Sequence, residues 1–320
     1  MRIILLMALI AAALPRTLCA NEIYRFIPSH SQQVVQINLS DITGLEAVKN
    51  DLIRNVNRQI GLDQKDDKML NVGSFIDKII AVTPDLTVDE TWIFVKSKIS
   101  EAEFCRKLEK LAGAKLIPVR GTSPAERRFT LQGNQLFPGI ALEKRTFALS
   151  FLTGNVAVIA KNDLSGYRKF KDSGLDKRKQ KELAVPHSLA AGYSEISAQF
   201  LAENPFLPRI RRAVYSLRAG KDGSLQIRAS AVCADEELAN QTLMQVQQYV
   251  MVGGIFLNQL DPELMQEWMT SVNVHRNNIT VNLNAYFSKR FITRLAEATE
   301  KMAGSLNQPD SAASPDGGKR

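Results

Sequence analysis

The chain has 320 residues, 45% hydrophobic and 23% charged, an ordinary globular composition with length for one large domain or two modest ones, which excludes a wholly disordered chain. Three cysteines are too few for a disulfide framework. The net charge of +8 is mildly basic, compatible with a plain solubility charge or with anionic partners such as lipid headgroups, envelope polymers or nucleic acid.

Residues 1–20 read as a secretory signal peptide: Arg2 supplies a positive start, Ile3 to Leu14 an unbroken apolar run, and Leu18-Cys19-Ala20 a small residue at the expected cleavage point. The apolar run is shorter than the roughly 20 residues a helical span requires. Leu18 is too large a neighbour for a lipidated Cys19. Cleavage after Ala20 removes Arg2 and Arg16 and leaves 39 basic against 33 acidic residues, a net charge of +6. No later stretch is long and apolar enough to span a bilayer.

Past the leader, Ile27-Pro28-Ser29-His30 precedes an alternating strand over Val35–Leu39, and a helix is expected over about 44–60. A second alternating strand begins at Ile93. It runs into a helix opened by a capping box, Ser100 with Glu103, and closed near Gly113. A Pro/Gly-punctuated stretch follows from Pro118 to Gly139. Next comes a hairpin turning at Thr153-Gly154-Asn155, with a return strand over Asn155–Ala160 and a helix beginning near Asp163.

The stretch from Lys169 to Lys181 holds five lysines and one arginine and reads as a solvated linker, centred on 175–184. Val185-Pro186-His187 then repeats the proline entrance before a weak strand at Ala191-Gly192-Tyr193. A helix is expected over about Ala198–Arg212. The strand from Ile227 runs into a helix over about Glu236–Met251, with Asp235 at its start and Gly253-Gly254 expected to end it. Trp268 follows Asp261-Pro262 on a short helix. A second hairpin turns at Arg276-Asn277-Asn278, a helix begins near Ser288, and 305–320 is a polar tail of disordered composition.

The order of these elements carries an internal similarity. A constant spacing takes apolar positions 93, 95 and 99 onto 227, 229 and 233, and Phe104 onto Leu238. A slightly shorter spacing takes Asn155–Ala160 onto Asn278–Leu283. The expectation is an α+β chain of two related repeats, 21–174 and 185–304, each a mostly antiparallel sheet with helices packed on one face. The surviving cysteines, Cys105 and Cys233, are not equivalent under this repeat and are expected to be unbonded.

Catalytic signatures are missing. His30, His187 and His275 are far apart in sequence, and there is no His-Glu-x-x-His, Cys-x-x-Cys, Gly-x-Ser-x-Gly or phosphate loop. No cofactor, metal or nucleic-acid motif is expected. Carboxylates abound, so a pair for hydrolysis across a cleft stays an alternative. Asn38, Asn240 and Asn278 match the glycosylation pattern, which matters only in a eukaryotic source.

Ile27-Pro28 followed by Val34-Val35-Gln36-Ile37-Asn38-Leu39-Ser40-Asp41-Ile42, with strand–helix modules after it, resembles a loose group of exported bacterial proteins of unknown function. The resemblance implies a periplasmic or extracellular location and a two-repeat α+β fold, and carries no functional residue. The functional expectation is a non-catalytic envelope binding or scaffold protein, its partner an envelope protein or an anionic polymer. Alternatives are an exported carboxylate-dependent hydrolase with a cleft between the repeats, or a polyanion or membrane-surface binder using the basic cluster Arg209, Arg211, Arg212, Arg218 and Lys221.

Overall fold

Alternating apolar residues along short β-branched and aromatic stretches produce strands, and twelve of them join edge to edge. The computed structural model describes residues 21–39, 75–87, 90–112, 115–121, 125–131, 145–170, 174–203, 210–220 and 222–306. The strands are β1 (Gln33–Asn38), β2 (Ile76–Thr83), β3 (Trp92–Ser97), β4 (Ile117–Val119), β5 (Glu126–Leu131), β6 (Arg145–Thr153), β7 (Val156–Lys161), β8 (Ser188–Glu195), β9 (Ile210–Ala219), β10 (Leu225–Cys233), β11 (Val272–Asn277) and β12 (Thr280–Phe287). They form one sheet in the order β11-β12-β10-β9-β8-β1-β2-β3-β7-β6-β5-β4. Its pairings are antiparallel throughout. The chain is therefore a mixed α+β fold on a single large antiparallel sheet. Two wings meet where β1 pairs with β8, Val35 opposite Gly192.

Eight helices are described: α1 (Asn21–Tyr24), α2 (Glu101–Ala112), α3 (Ser165–Phe170), α4 (Lys177–Leu183), α5 (Ala198–Glu203), α6 (Glu236–Leu260), α7 (Pro262–Ser271) and α8 (Lys289–Leu306). On the front face, α2 packs Phe104 against Phe75 and Phe151 over the first wing. There α6, α7 and α8 cover Leu225, Ile227, Leu283 and Phe287 of the second wing. On the back face, α1, α3 and α4 close a second core over the first wing, where Tyr24, Leu164, Tyr167 and Leu183 meet Trp92, Phe94 and Val158. Helices thus cover both faces of the first wing, not one as the patterning suggested. β3 explains this, because Trp92 and Phe94 point back while Ile93 and Val95 point forward, and all four are apolar. In the second wing β8 still turns Ala191 and Tyr193 into the back core, while β10, β11 and β12 are mostly polar on their back face.

Three further departures from the sequence reading have physical causes. The helix expected over Ala198–Arg212 is described only as α5, and Ile210 to Arg212 belong instead to β9, where the alternating Ile210–Ala219 pairs into the sheet. Gly253 and Gly254 do not end a helix but lie inside α6. They make room there: a Cβ on Gly253 would stand 3.1 Å from the Trp268 ring, and one on Gly254 3.0 Å from the Met269 sulfur. The stretch read as a solvated linker forms α4, capped by Asp176 and buried at Lys179 and Leu183.

Other features stand where the patterning put them. Ser100 accepts from the Glu103 amide at 3.4 Å and Asp235 from the Leu238 amide at 2.8 Å. The β11–β12 turn carries Asn278 at a positive φ of 50°. Cys105 and Cys233 are free thiols, Cys233 being buried. The leader, the helix expected over 44–60, Gly113 and the tail beyond Leu306 lie outside the described residues. No described helix is long and apolar enough to cross a membrane.

Tyrosine burial gives the sheet an alkaline limit. Burial pushes the Tyr215 phenol up to about 12, and it raises Tyr24 and Tyr193 as well. An unfolded tyrosine ionises near 10, so above that pH the unfolded chain holds fewer protons than the folded one. This contribution to stability is whole below pH ~10 and shrinks as pH rises toward 12. The urea midpoint is therefore expected to be lower at pH 11 than at pH 9, and the loss to be smaller in Tyr215→Phe.

Candidate functional site

Beyond β8, whose back lies under α4, the back of the second wing is a sheet face that α4 meets only at its β9 side, through Arg212. Register places its side chains in rows across β9, β10, β12 and β11. Arg218 stands opposite Gln226, which stands opposite Tyr286. The next row is Ser216, Arg228, Asn284 and Asn273, and the one after it Val214, Ser230, Asn282 and His275. The last holds Arg212, Val232, Thr280 and Asn277. A solvated antiparallel face is polar as a rule. Here three arginines and a row of amides and hydroxyls stand with no carboxylate among them.

The three arginines differ. Arg212 is ion-paired with Glu182 of α4. Arg228 is exposed, and Arg218 is its diagonal neighbour across β9 and β10, at a spacing of ~7–8 Å. Arg218 is partly buried, and its Nε has no hydrogen-bond partner. Among the described residues it makes no ion pair. A guanidinium taken partly out of water without a counter-charge is costly unless something anionic completes it. At the rim, Tyr286 donates to Asp222 at 3.2 Å. The hydroxyl and amide of Ser224 hold the Asp222 carboxyl below its ordinary range. His275 shares a 3.0 Å contact with Asn273.

The basic cluster expected from sequence is divided by strand alternation. Arg212 and Arg218 share the back face, Arg211 is exposed at the bulge in β9, and Arg209 and Lys221 lie outside the described residues. Arg228, Asn282 and Asn284 were missed by counting charge along the chain. The signal was present in the alternate polar positions of Gln226-Ile227-Arg228-Ala229-Ser230 and Thr280-Val281-Asn282-Leu283-Asn284, which reserve one face of each strand for hydrogen bonding.

No protein-family model, curated protein or solved structure matches this chain.

The other places where chemistry could occur are committed to structure. A groove between α7 and α8, about 300 Å³, is lined by Glu263, Glu267, Arg290 and Arg294. Its carboxylates are engaged: Glu263 with Arg290 and Arg294, and Glu267 accepting from the Ser288 amide at 2.9 Å. Asp261, at the α6–α7 corner, binds Arg294 Nε at 2.9 Å. Among the described residues no group of three His, Cys, Asp or Glu stands where it could hold a metal ion. His30 packs on the Phe170 ring, and His187 occupies a left-handed turn with φ 57°.

Proposed function

We propose that this chain is an exported, non-catalytic binding protein whose ligand is an extended anionic polymer laid across the back of the second wing. The observation that carries the reading is Arg218, partly buried with its Nε lacking a hydrogen-bond partner and with no ion pair among the described residues, on back-facing rows of β9, β10, β11 and β12 that hold no carboxylate. Arg228 beside it supplies a second cation, and Asn273, Asn282 and Asn284 supply neutral donors and acceptors suited to a sulfated or carboxylated polysaccharide. The test is calorimetric titration with heparin as a probe polyanion at several salt concentrations. The Arg218→Gln/Arg228→Gln double variant is expected to lose about a hundredfold or more in affinity, at about 1.5–3 kcal/mol per hydrogen bond to a charged group, and to flatten the salt dependence. A Lys177→Gln/Lys181→Gln control removes equal charge from α4, outside this face, and should bind nearly as wild type. Equal losses in both variants would reduce the binding to bulk charge and end the proposal.

The same proposal includes export and duplication. In support of export, the apolar leader ends at Ala20, and Ile23 and Tyr24 are already buried in the back core. Amino-terminal sequencing of exported protein should read Asn-Glu-Ile-Tyr. In support of two related repeats, β1-β2-β3-β7-β6 in the first wing and β8-β9-β10-β12-β11 in the second are laid down in the same chain order. Each repeat inserts its capped helix, α2 or α6, after its third strand. The β4–β5 hairpin is the extra piece of the first repeat, and α7 that of the second. In an experimental structure, β3 with α2 should superpose on β10 with α6; failure to do so would leave a shared strand order without a repeat.

A further inference from the structure

From Asn240 to Leu260, α6 carries no charged residue. Its inner side is packed, with Ala239, Thr242, Gly254 and Leu257 buried. Its outer side exposes Met244, Tyr249, Met251, Val252, Ile255 and Phe256, each 50–62% accessible. At ~100° per residue these six fall within an arc of about 160°. Met269 of α7, set beside Gly254, widens the stripe on the Met251 side. The exposed area of the stripe is roughly 700 Å², with Gln241, Gln245, Gln248 and Gln259 lying in the same arc. It is close to the ~800 Å² that each partner contributes to a standard interface.

We infer that this stripe is a homodimer interface, in which α6 of one copy packs antiparallel on α6 of a second copy about a twofold axis near Val252 and Ile255. Its charge and its area select a second copy as the occupant. The stripe is uncharged over its whole length, so it meets itself without like-charge repulsion and offers a charged partner nothing to pair with. It has no lysine or arginine to hold an anionic lipid surface. Its area matches what an isologous dimer requires of each subunit. Antiparallel pairing also sets the two helix dipoles in opposition, which is favourable.

This inference goes beyond the polymer-binding reading and bears on it. Because α6 lies on the front of the sheet, a dimer closed through it leaves both back faces free and directed away from the joint. A polymer long enough to reach both would then be held more tightly than a short one by effective concentration alone.

The experiment is sedimentation velocity on the full chain across a concentration series, with Val252→Glu/Ile255→Glu and Met251→Gln/Ile255→Gln as variants. The wild type is expected to sediment as a dimer and both variants as monomers, with unchanged circular dichroism and unchanged affinity for a short heparin oligosaccharide. A variant that fails to fold shows in the dichroism, and the milder glutamine variant keeps the test alive. A wild type that stays monomeric at high concentration overturns the inference and leaves the stripe to residues 40–74 or to an outside partner. Variants that remain dimeric overturn it equally. Loss of dimer with oligosaccharide binding intact separates this result from failure of the polymer reading, which Arg218 and Arg228 test.

Discussion

Lys179→Met is expected to cost about 3 kcal/mol of stability, because it strips a cation from a buried position while leaving its partners in place. The Lys179 side chain is 5% exposed and donates to the carbonyls of Ser29 and Ser31, both at 3.1 Å. It also lies 2.8 Å from Glu195 and stands over the Tyr193 ring. Tyr193 in turn donates to the Ser31 carbonyl at 3.0 Å. The lysine therefore ties α4 and the entrance segment to the edge of the β1–β8 seam. Glu195 keeps Arg178 at 2.6 Å after the substitution, which holds the cost to the lower end of the range for a broken buried pair. Lys181→Met, two residues on and exposed, should change stability by less than ~0.5 kcal/mol. Urea midpoints of the two variants check the pair. Equal small effects would return this segment to the solvated linker that its composition suggests.

Trp92→Ala is expected to destabilise by about 3–5 kcal/mol, the range for emptying a buried aromatic site. Trp92 is 0% exposed. It meets Tyr167 edge-on at 5.6 Å and Phe170 at 6.1 Å, while its indole donates to Glu90 at 3.0 Å. These contacts fasten α3 to the back of β3, so truncation leaves a cavity between a helix and the sheet. Trp92→Phe keeps most of the ring volume and loses the indole hydrogen bond, which should cost about 1–2 kcal/mol. Chemical denaturation of both variants gives the ratio. An alanine variant no worse than phenylalanine would mean that α3 closes onto the sheet without the indole.

A second buried network at the seam joins the wings. Tyr24 donates to Gln36, Gln36 to Asn38 at 2.9 Å, and Asn38 to the Ser188 carbonyl at 2.6 Å. Each of these polar groups is satisfied by a residue brought from elsewhere in the chain, which is the condition for burying them at all. In sequence, Gln36 and Asn38 look like the solvent side of a half-buried strand. They are on the more buried side, because α1 and α4 return to cover them.

What the sequence determined by itself is local: the alternation that makes β1, β3, β10 and β12, the caps Ser100 and Asp235, the Asn278 turn, and the shared order of elements in the two wings. These depend on residues a few positions apart, where propensity and periodicity act directly. Only the tertiary structure decided that the wings share one sheet, that α4 is packed rather than solvated, that Gly253 and Gly254 admit α7 instead of ending α6, and that Arg218 and Arg228 are neighbours while Arg211 is not. Each of these depends on which strand lies beside which and in what register, and a one-residue shift in register turns every side chain to the opposite face.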